Sequence, residues 1–508
     1  MDCAPFPTLD AELGGLLQAL HRQFQAGDAA GANSTLATLG PSRALDPWTV
    51  MGALCVGGAA FAAWLVATQQ PNLTGEQCTA IVLDAFEQVL APPPDARPEH
   101  EALVARHLVK GLGLSVAPGD LLNLVRAEFL IDRGPLADLP TAVRGAMDQQ
   151  QWALSLRGFE RIRHELKERT PRGTYGMASM CLHRLGRYED ANQWVRDGLG
   201  ERQALIATPP VHTEKALLAR WGRHTAPVVS ILCTAYNHER YIEDTLRGFL
   251  SQDCEFPFEI LIHDDASTDG TQDVIRRWQK RYPRIIKPVL QTQNQMSRGV
   301  RPLETLLARA RGGYVATCEG DDYWIAPTKL QRQVAFLRGH ADVSCSAHNY
   351  YHFVESTLAI KPWRPVRKDF FVSPRQLMAV QFLLWLPTLV FRKSFSTLPP
   401  ERALAAFGDQ FITSYLGTLG RGVYFETMVG AVRRENAFST WSPLPEAEKE
   451  RRRVRTWAAL VRLHERLGNP QAVDDLMARI HGSALDASTK ASILDASSSP
   501  TPSTLAAA

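Results

Sequence analysis

Close cysteine pairs are missing from this chain. Its eight cysteines (Cys3, Cys55, Cys78, Cys181, Cys233, Cys254, Cys318 and Cys345) are scattered, with no CxxC spacing. That argues against a structural zinc site or a disulfide framework and fits a reducing compartment. Net charge is scarce too. Against 56 Lys and Arg stand 53 Asp and Glu, leaving +3 over 508 residues, so composition makes no case for nucleic acid. There is no P-loop and no HExxH, which removes two common phosphate and zinc chemistries. The start, Met1-Asp2-Cys3-Ala4-Pro5, lacks a basic stretch leading into an apolar core, so no signal peptide is expected. The sequons at Asn33 and Asn72 then carry no meaning.

What is present is globular. Apolar content of 45% and charged content of 21% are ordinary, and the length suits two or three domains. One segment, Pro47 to Thr68, has no charged residue and would just span a bilayer. It is mostly Ala and Gly and lacks a basic flank, so a buried helix of a helical array is the favoured reading.

Residues 1 to 215 read as all-helical. Leu13, Leu16, Leu17 and Leu20 recur at the spacing of one helical face, and residues 121–130 are similar. Breaks fall at Pro-rich points such as 91–95. In residues 175–199, Ala178 is small enough for close helix approach, Leu185-Gly186 closes a helix, Tyr188 fills the corner and Ala191 starts a mate. This layout resembles a tetratricopeptide repeat, with a degenerate copy at 151–162; a generic helical bundle is the plainer alternative. Such an array would offer a surface to a protein partner.

From residue 222 to 445 the pattern alternates strand and helix. Apolar runs at 228–233, 258–263, 285–290 and 314–318 read as strands. Stripes such as Ile242, Leu246, Phe249 and Leu250 read as helices between them. Pro327 is placed in the first turn of a helix carrying Leu330, Val334 and Leu337, and 343–347 and 384–391 read as further strands. The alternation predicts an α/β domain with a mostly parallel, doubly wound, Rossmann-like sheet whose ligand sits at the carboxyl ends of the strands. Residues 446–482 read as C-terminal helices that open on a solvated charge run, and 483–508 as a disordered tail.

Three polar clusters end the apolar runs: 234–238, His263-Asp264-Asp265-Ala266-Ser267-Thr268-Asp269, and Glu319-Gly320-Asp321-Asp322. Two adjacent carboxylates after a strand and a glycine turn can hold a hard divalent cation, with phosphate oxygens and water completing its shell. Helix capping explains the same residues without a ligand. That reading is stronger for Asp264-Asp265 and for Asp409, a lone acid before an apolar helix.

Residues 230–237, 260–271, 291–295 and 319–324, in this order and each at a predicted strand end, closely resemble family 2 glycosyltransferases of the GT-A fold. The resemblance covers roughly 225 to 445. It implies that Thr234, Tyr236 and Asp265 line the nucleoside pocket. Asp321 would face the ribose or donor, and Asp322 would ligate Mg²⁺ or Mn²⁺ on the diphosphate. Asp409 occupies the place of the general base of an inverting sugar transfer. Many relatives carry a histidine after the base; the matching region, 432–442, has none, although Arg433 or Arg434 could meet phosphate.

The implied donor is a UDP- or dTDP-sugar, and the acceptor a glycan, lipid-linked or protein hydroxyl in cell-surface polysaccharide or glycoconjugate synthesis. The expected place is the cytoplasm, with visits to the inner membrane surface. Two other classes compete. One is a catalytically silent GT-A scaffold that binds proteins through its helical repeats. The other is a nucleotidyltransferase, which would need a glycine-rich basic loop where this chain has Thr-Ala-Tyr-Asn-His.

Overall fold

The computed structural model describes residues 136–223, 226–436 and 444–496 throughout, and between residues 11 and 131 the helix 11–26 with scattered further positions. The chain divides into two compact units, 1–191 and 192–508.

The described part of the first unit is helical. In α1 (Ala11–Ala26), Leu13, Leu17 and Leu20 form the buried stripe their spacing predicts. Further on come α2 (Leu139–Asp148), α3 (Trp152–Leu166) and α4 (Arg172–Arg184). Gly186, at φ +72°, turns the chain out of α4. The Gly186 N–H donates to the His183 carbonyl at 2.9 Å and the Arg187 N–H to Leu182 at 2.9 Å, a glycine C-cap that closes orphan carbonyls. Then α5 (Tyr188–Leu199) begins. Ala178 and Ala191 are fully buried, and Tyr188 packs edge-on against His183 at 5.0 Å. Within 47–68, the described positions are helical: Thr49, Val50, Met51, Ala53, Leu54, Phe61, Ala62, Leu65 and Val66 are buried, and Trp64 and Ala67 are half-buried. No helix among the described residues is long and apolar enough to cross a membrane. Residues 91–95, and 121–130 apart from Ala127 and Leu130, lie outside the described residues.

The second unit opens with α6 (Glu214–Trp221), whose N-cap Thr213 accepts the Ala216 N–H. Strand and helix then alternate: β1 (Val229–Ala235), α7 (Ile242–Leu250), β2 (Phe258–Asp264), α8 (Thr271–Arg281), β3 (Ile286–Leu290), α9 (Pro302–Arg309) and β4 (Tyr314–Glu319). These four strands are parallel, in the order β3-β2-β1-β4. Both faces of the sheet are covered. Ile231 and Cys233 look toward α7, while Leu232 and Leu261 join Leu306 and Leu307 of α9. Each such fully buried Leu or Ile contributes on the order of 2 kcal/mol.

Beyond β4 the sheet is mixed, which corrects the expectation of a mostly parallel one. The remaining strands are β5 (Tyr323–Trp324), β6 (Val343–Val354), β7 (Ala359–Pro362), β8 (Phe370–Val372), β9 (Val390–Arg392) and β10 (Arg421–Glu435). β6 and β10 run parallel, but β9 pairs antiparallel with both β4 and β6, and β5, β7 and β8 also pair antiparallel. The run 384–391 is a single strand only at its end. Pro387 sits in a 3-10 turn, Leu386–Thr388, because it has no N–H for a ladder. Pro327 lies two residues ahead of α10 (Lys329–Gly339) rather than in its first turn.

Helix α11 (Pro374–Met378) is short and carries a capping box; α12 (Gly408–Gly417) leads into β10. At the C-terminal end α13 (Glu446–Arg466) and α14 (Pro470–His481) pack Leu460 and Leu463 with Leu476 and Ile480. The charge run of α13 pairs within itself, as Arg452 with Glu448 and Arg453 with Glu450. Within the stretch assigned by composition to the tail stands α15 (Ala487–Ala496), headed by Asp486, which accepts from Ser488 and Thr489.

Candidate active site

Register places the polar clusters side by side. Thr234 of β1 lies between His263 of β2 and Glu319 of β4. The chain leaves β1 with β2 on one side and β4 on the other, the switch point where open α/β sheets leave a crevice. The loops after β1 and β2 are laced together. Asn237 Oδ1 accepts the Thr268 N–H at 2.8 Å, the Asn237 N–H donates to Ser267 Oγ at 2.9 Å, and the His238 N–H to Thr271 Oγ1 at 2.8 Å. Asn237 and Ala266 both hold positive φ, +55° and +62°; for Ala that is a strained backbone of the kind concentrated at functional loops. Tyr236 stands at the rim, 43% exposed, and Thr234 is half-buried.

The first acid pair is spent on this loop. Asp264 is fully buried. Its carboxylate accepts the Ser267 N–H, the Ser267 hydroxyl and the Gln272 side-chain amide. Asp265, 4% exposed, accepts the Gln295 N–H at 2.6 Å and the Met296 N–H at 3.0 Å, and so pins the loop after β3. Each of its oxygens keeps a second lone pair for a further donor.

The second pair is arranged differently. Gly320 has no left-handed backbone to accommodate. It is needed for close approach, since a Cβ there would lie 2.8 Å from the His238 ring and 2.9 Å from Ile242. Thr245 Oγ1 donates to the carbonyls of both Gly320 and Asp322, tying the turn to α7. Asp322, 4% exposed, accepts only the Arg434 N–H, at 2.7 Å, among the described residues. Burial holds its carboxyl well above the usual range, and the charges of Asp321 and Glu319 push it the same way, against Arg433. Asp321 Oδ2 accepts from Asn436 at 3.2 Å and lies 3.9 Å from His238 Nε2.

Glu319, the last residue of β4, is exposed; lost solvation of the charged form, then Asp321 and Asp409, raises its carboxyl. The charge of Asp409, on α12 and ninety residues away in sequence, acts on Glu319. Asp409 stands in the first turn of α12, half-buried, its Oδ1 accepting the Gln410 N–H at 2.7 Å. Burial raises its carboxyl against the pull of Arg402 and Arg433.

Arg433 and Arg434, adjacent on β10, do separate things. Arg434 is buried and structural: its guanidinium meets Asp244 at 2.8 Å and the Asp321 carbonyl at 2.7 Å. Arg433 is the guanidinium felt by Asp322, Glu319 and Asp409 alike. Beside it, in register on β6, lies His352, whose Nε2 is 3.5 Å from Arg433 and 2.9 Å from Glu435. Burial, then Arg433, lowers the pKa of that imidazole, against the pull of Glu435. Sequence reasoning gave Glu319 no role and missed His352. The register of two strands 81 residues apart brings it here, and no local motif announces that. Residues 437–443, the rest of the region without a histidine, lie outside the described residues.

Asp321, Asp322 and Glu319 thus stand in and beside the turn after β4, Arg433 acts on Glu319, Asp322 and Asp409, Thr234 is in register beside Glu319, and Asp265 lies in the neighbouring loop. Among the described residues no three of His, Cys, Asp and Glu converge as a ready-made metal site. Asp322 instead has, among the described residues, one carboxylate oxygen with no protein donor, in a field of like charge. That suits a divalent cation taking its other ligands from a diphosphate and water.

Residues 230–397 match the family model described as Glycosyl transferase family 2, so a domain of that family occupies this part of the chain. The chain is similar to the uncharacterized protein Rv1520 of Mycobacterium tuberculosis, 44% identical over 121 residues, which are 24% of this chain and 34% of that protein. It is also similar to the UDP-Glc:alpha-D-GlcNAc-diphosphoundecaprenol beta-1,3-glucosyltransferase WfaP of Escherichia coli, 33% identical over 125 residues, 24% of this chain and 46% of that protein. Among solved structures it is similar to S. aureus TarS 1-349 in complex with UDP-GlcNAc, at 18% identity over 52% of this chain and 70% of that one, with a TM-score of 0.35. The chain spans 34% and 46% of the lengths of these two curated relatives.

Proposed function

We propose that the protein is an inverting, metal-dependent glycosyltransferase that moves a sugar from a nucleotide diphosphate sugar to an acceptor hydroxyl. The observation that carries this reading is the donor-poor acid cluster at the carboxyl end of β4, Glu319, Asp321 and Asp322, on which the charge of Asp409 also acts. Thr234, Tyr236 and Asp265 bind the nucleoside, Asp321 faces the ribose and donor sugar, and Asp322 holds Mg²⁺ or Mn²⁺. When bound, the cation offsets the charge on the departing diphosphate. Arg433 adds a fixed positive charge beside it.

Asp409 takes the proton of the acceptor hydroxyl as its oxygen bonds to the anomeric carbon. The bond from that carbon to the diphosphate breaks on the opposite face, and the nucleoside diphosphate leaves with the electron pair. A carboxylate whose affinity for protons is raised by burial is a stronger base than one in water.

UDP or dTDP is the favoured nucleotide, in line with the UDP-Glc named for WfaP. The same name, with its diphosphoundecaprenol acceptor, supports a lipid-linked glycan as acceptor. It also fits work in the cytoplasm at the inner membrane surface, toward cell-surface polysaccharide. The α4–α5 hairpin, with buried Ala178 and Ala191 around a Gly186 turn, supports a tetratricopeptide-like reading of the helical unit and a protein partner there.

Calorimetric titration with UDP, dTDP and GDP, each with and without Mn²⁺, tests the reading. Metal-dependent binding of one nucleotide is expected. A folded protein that binds none under any condition refutes it.

A further inference from the structure

Just past β7 an indole stands open beside the acid cluster. Trp363 is 48% exposed, and a lone exposed aromatic is ordinary. This one is held in place. The Trp363 backbone N–H donates to the Tyr350 carbonyl at 2.8 Å. The next residue is clamped from both sides: the Arg364 N–H donates to Asn349 Oδ1 at 3.1 Å, and Asn349 Nδ2 to the Arg364 carbonyl at 2.8 Å. Asn349 itself is fully buried. The inner face of Trp363 stacks on the Tyr350 ring, centroids 5.6 Å apart and planes 13° from parallel. That leaves the outer face to solvent. Trp385 stands perpendicular to both stacked rings, 6.0 Å from Trp363 at 79° and 6.3 Å from Tyr350 at 70°, and so borders the edge of the stack. Neither indole N–H has a partner among the described residues.

The stack adjoins the chemistry. Arg433 lies 4.5 Å over the Trp385 ring, and the same guanidinium acts on Asp409, Glu319 and Asp322. His352, paired with Glu435, closes the other side, 6.4 Å from Trp363. The result is one open aromatic face, bordered at its edge by a second indole and by hydrogen-bonding groups. A pyranose ring has the complementary surface: an apolar face of axial C–H groups and a periphery of hydroxyls. A lipid surface or a protein partner would call for a broader apolar patch than this face supplies. Pre-setting the ring by Tyr350 and Asn349 removes ordering cost from binding.

We propose that Trp363 and Trp385 form the acceptor subsite, in which a pyranose ring of a glycan acceptor stacks on the outer face of Trp363 with its reacting hydroxyl turned toward Asp409. This rests on the transferase reading given above. Trp363 would then set which acceptor ring is taken, while the nucleotide is bound elsewhere.

The test uses the full chain with saturating UDP and Mn²⁺. Methyl glycosides of glucose, N-acetylglucosamine, galactose and mannose are titrated by saturation-transfer NMR and calorimetry. At least one is expected to bind with saturation transfer strongest at its ring C–H protons. Trp363→Ala should weaken it more than about tenfold, Trp363→Phe by less than about threefold, and neither should move the UDP affinity. Equal glycoside affinity in Trp363→Ala, with UDP binding intact, overturns the proposal. So does a wild type that binds UDP but none of the four glycosides. A wild type that binds no nucleotide at all defeats the transferase reading itself, a different result.

Discussion

Two pairs of adjacent aspartates end two strands of one sheet, and the protein uses them in opposite ways. Asp264 and Asp265 accept five hydrogen bonds from their own and the neighbouring loop. Their charge is dispersed among N–H and O–H donors, so the pair builds the walls of a pocket. Among the described residues Asp321 and Asp322 accept one each, and the charges of Asp321 and Glu319 act on Asp322. Local sequence is nearly the same; the number of donors supplied by the rest of the fold is not. A buried carboxylate left short of donors is costly. The proposed function gives that missing partner's place to the cation.

The largest effect that sharpens this contrast comes from the second pair. Asp322→Asn keeps an acceptor for the Arg434 N–H, so the fold should survive by circular dichroism while metal-dependent nucleotide binding disappears. Next is Asp409→Asn. Transfer should fall about 10²–10⁴-fold with nucleotide affinity unchanged, as loss of a positioned base requires. In the wild type, the acid limb of kcat should lie above the ordinary carboxylate range, because burial raises the Asp409 pKa. Activity is present above that pKa and lost as pH falls through it, a profile that stopped assays across pH 4 to 8 would show.

Asp264→Ala should act on stability instead. Removing a buried acceptor of three hydrogen bonds costs about 3 kcal/mol in denaturant melts. At low temperature the surviving folded fraction should bind nucleotide within about tenfold of wild type. The smallest effect concerns how α12, and Asp409 with it, is anchored. His464 of α13 is buried against Ser414 of α12 at 2.7 Å, and burial lowers its pKa to about 4. The unfolded chain therefore binds a proton near pH 6.5 that the folded chain refuses. Stability is full above that pH and falls by about 2 kcal/mol between pH 7 and pH 5. In His464→Gln that part of the slope should vanish from thermal melts.

Much of this was legible in sequence. The strands β1, β2 and β4 are short apolar runs bounded by polar clusters, and period alone finds them. The helices between them follow from stripes such as Ile242, Leu246, Phe249 and Leu250, all fully buried. The second half of the sheet was less legible. Its strands are paired by register over long separations, and Pro387 breaks the apolar run that reads as one strand. The division of labour between Arg433 and Arg434 was hidden for a related reason. Alternation along β10 sends one side chain into the packing around Asp244 and the other toward the acid cluster, and neighbouring identical residues give no hint which is which. Nor does the pattern Asp-Asp reveal how many donors await each pair.

Electron paramagnetic titration of free Mn²⁺ in the presence of UDP, on wild type, Asp264→Asn and Asp322→Asn, tests the contrast most directly. Wild type and Asp264→Asn should both deplete the free Mn²⁺ signal at one site per chain, and Asp322→Asn should leave it untouched. Depletion by Asp322→Asn equal to that of wild type would contradict the account.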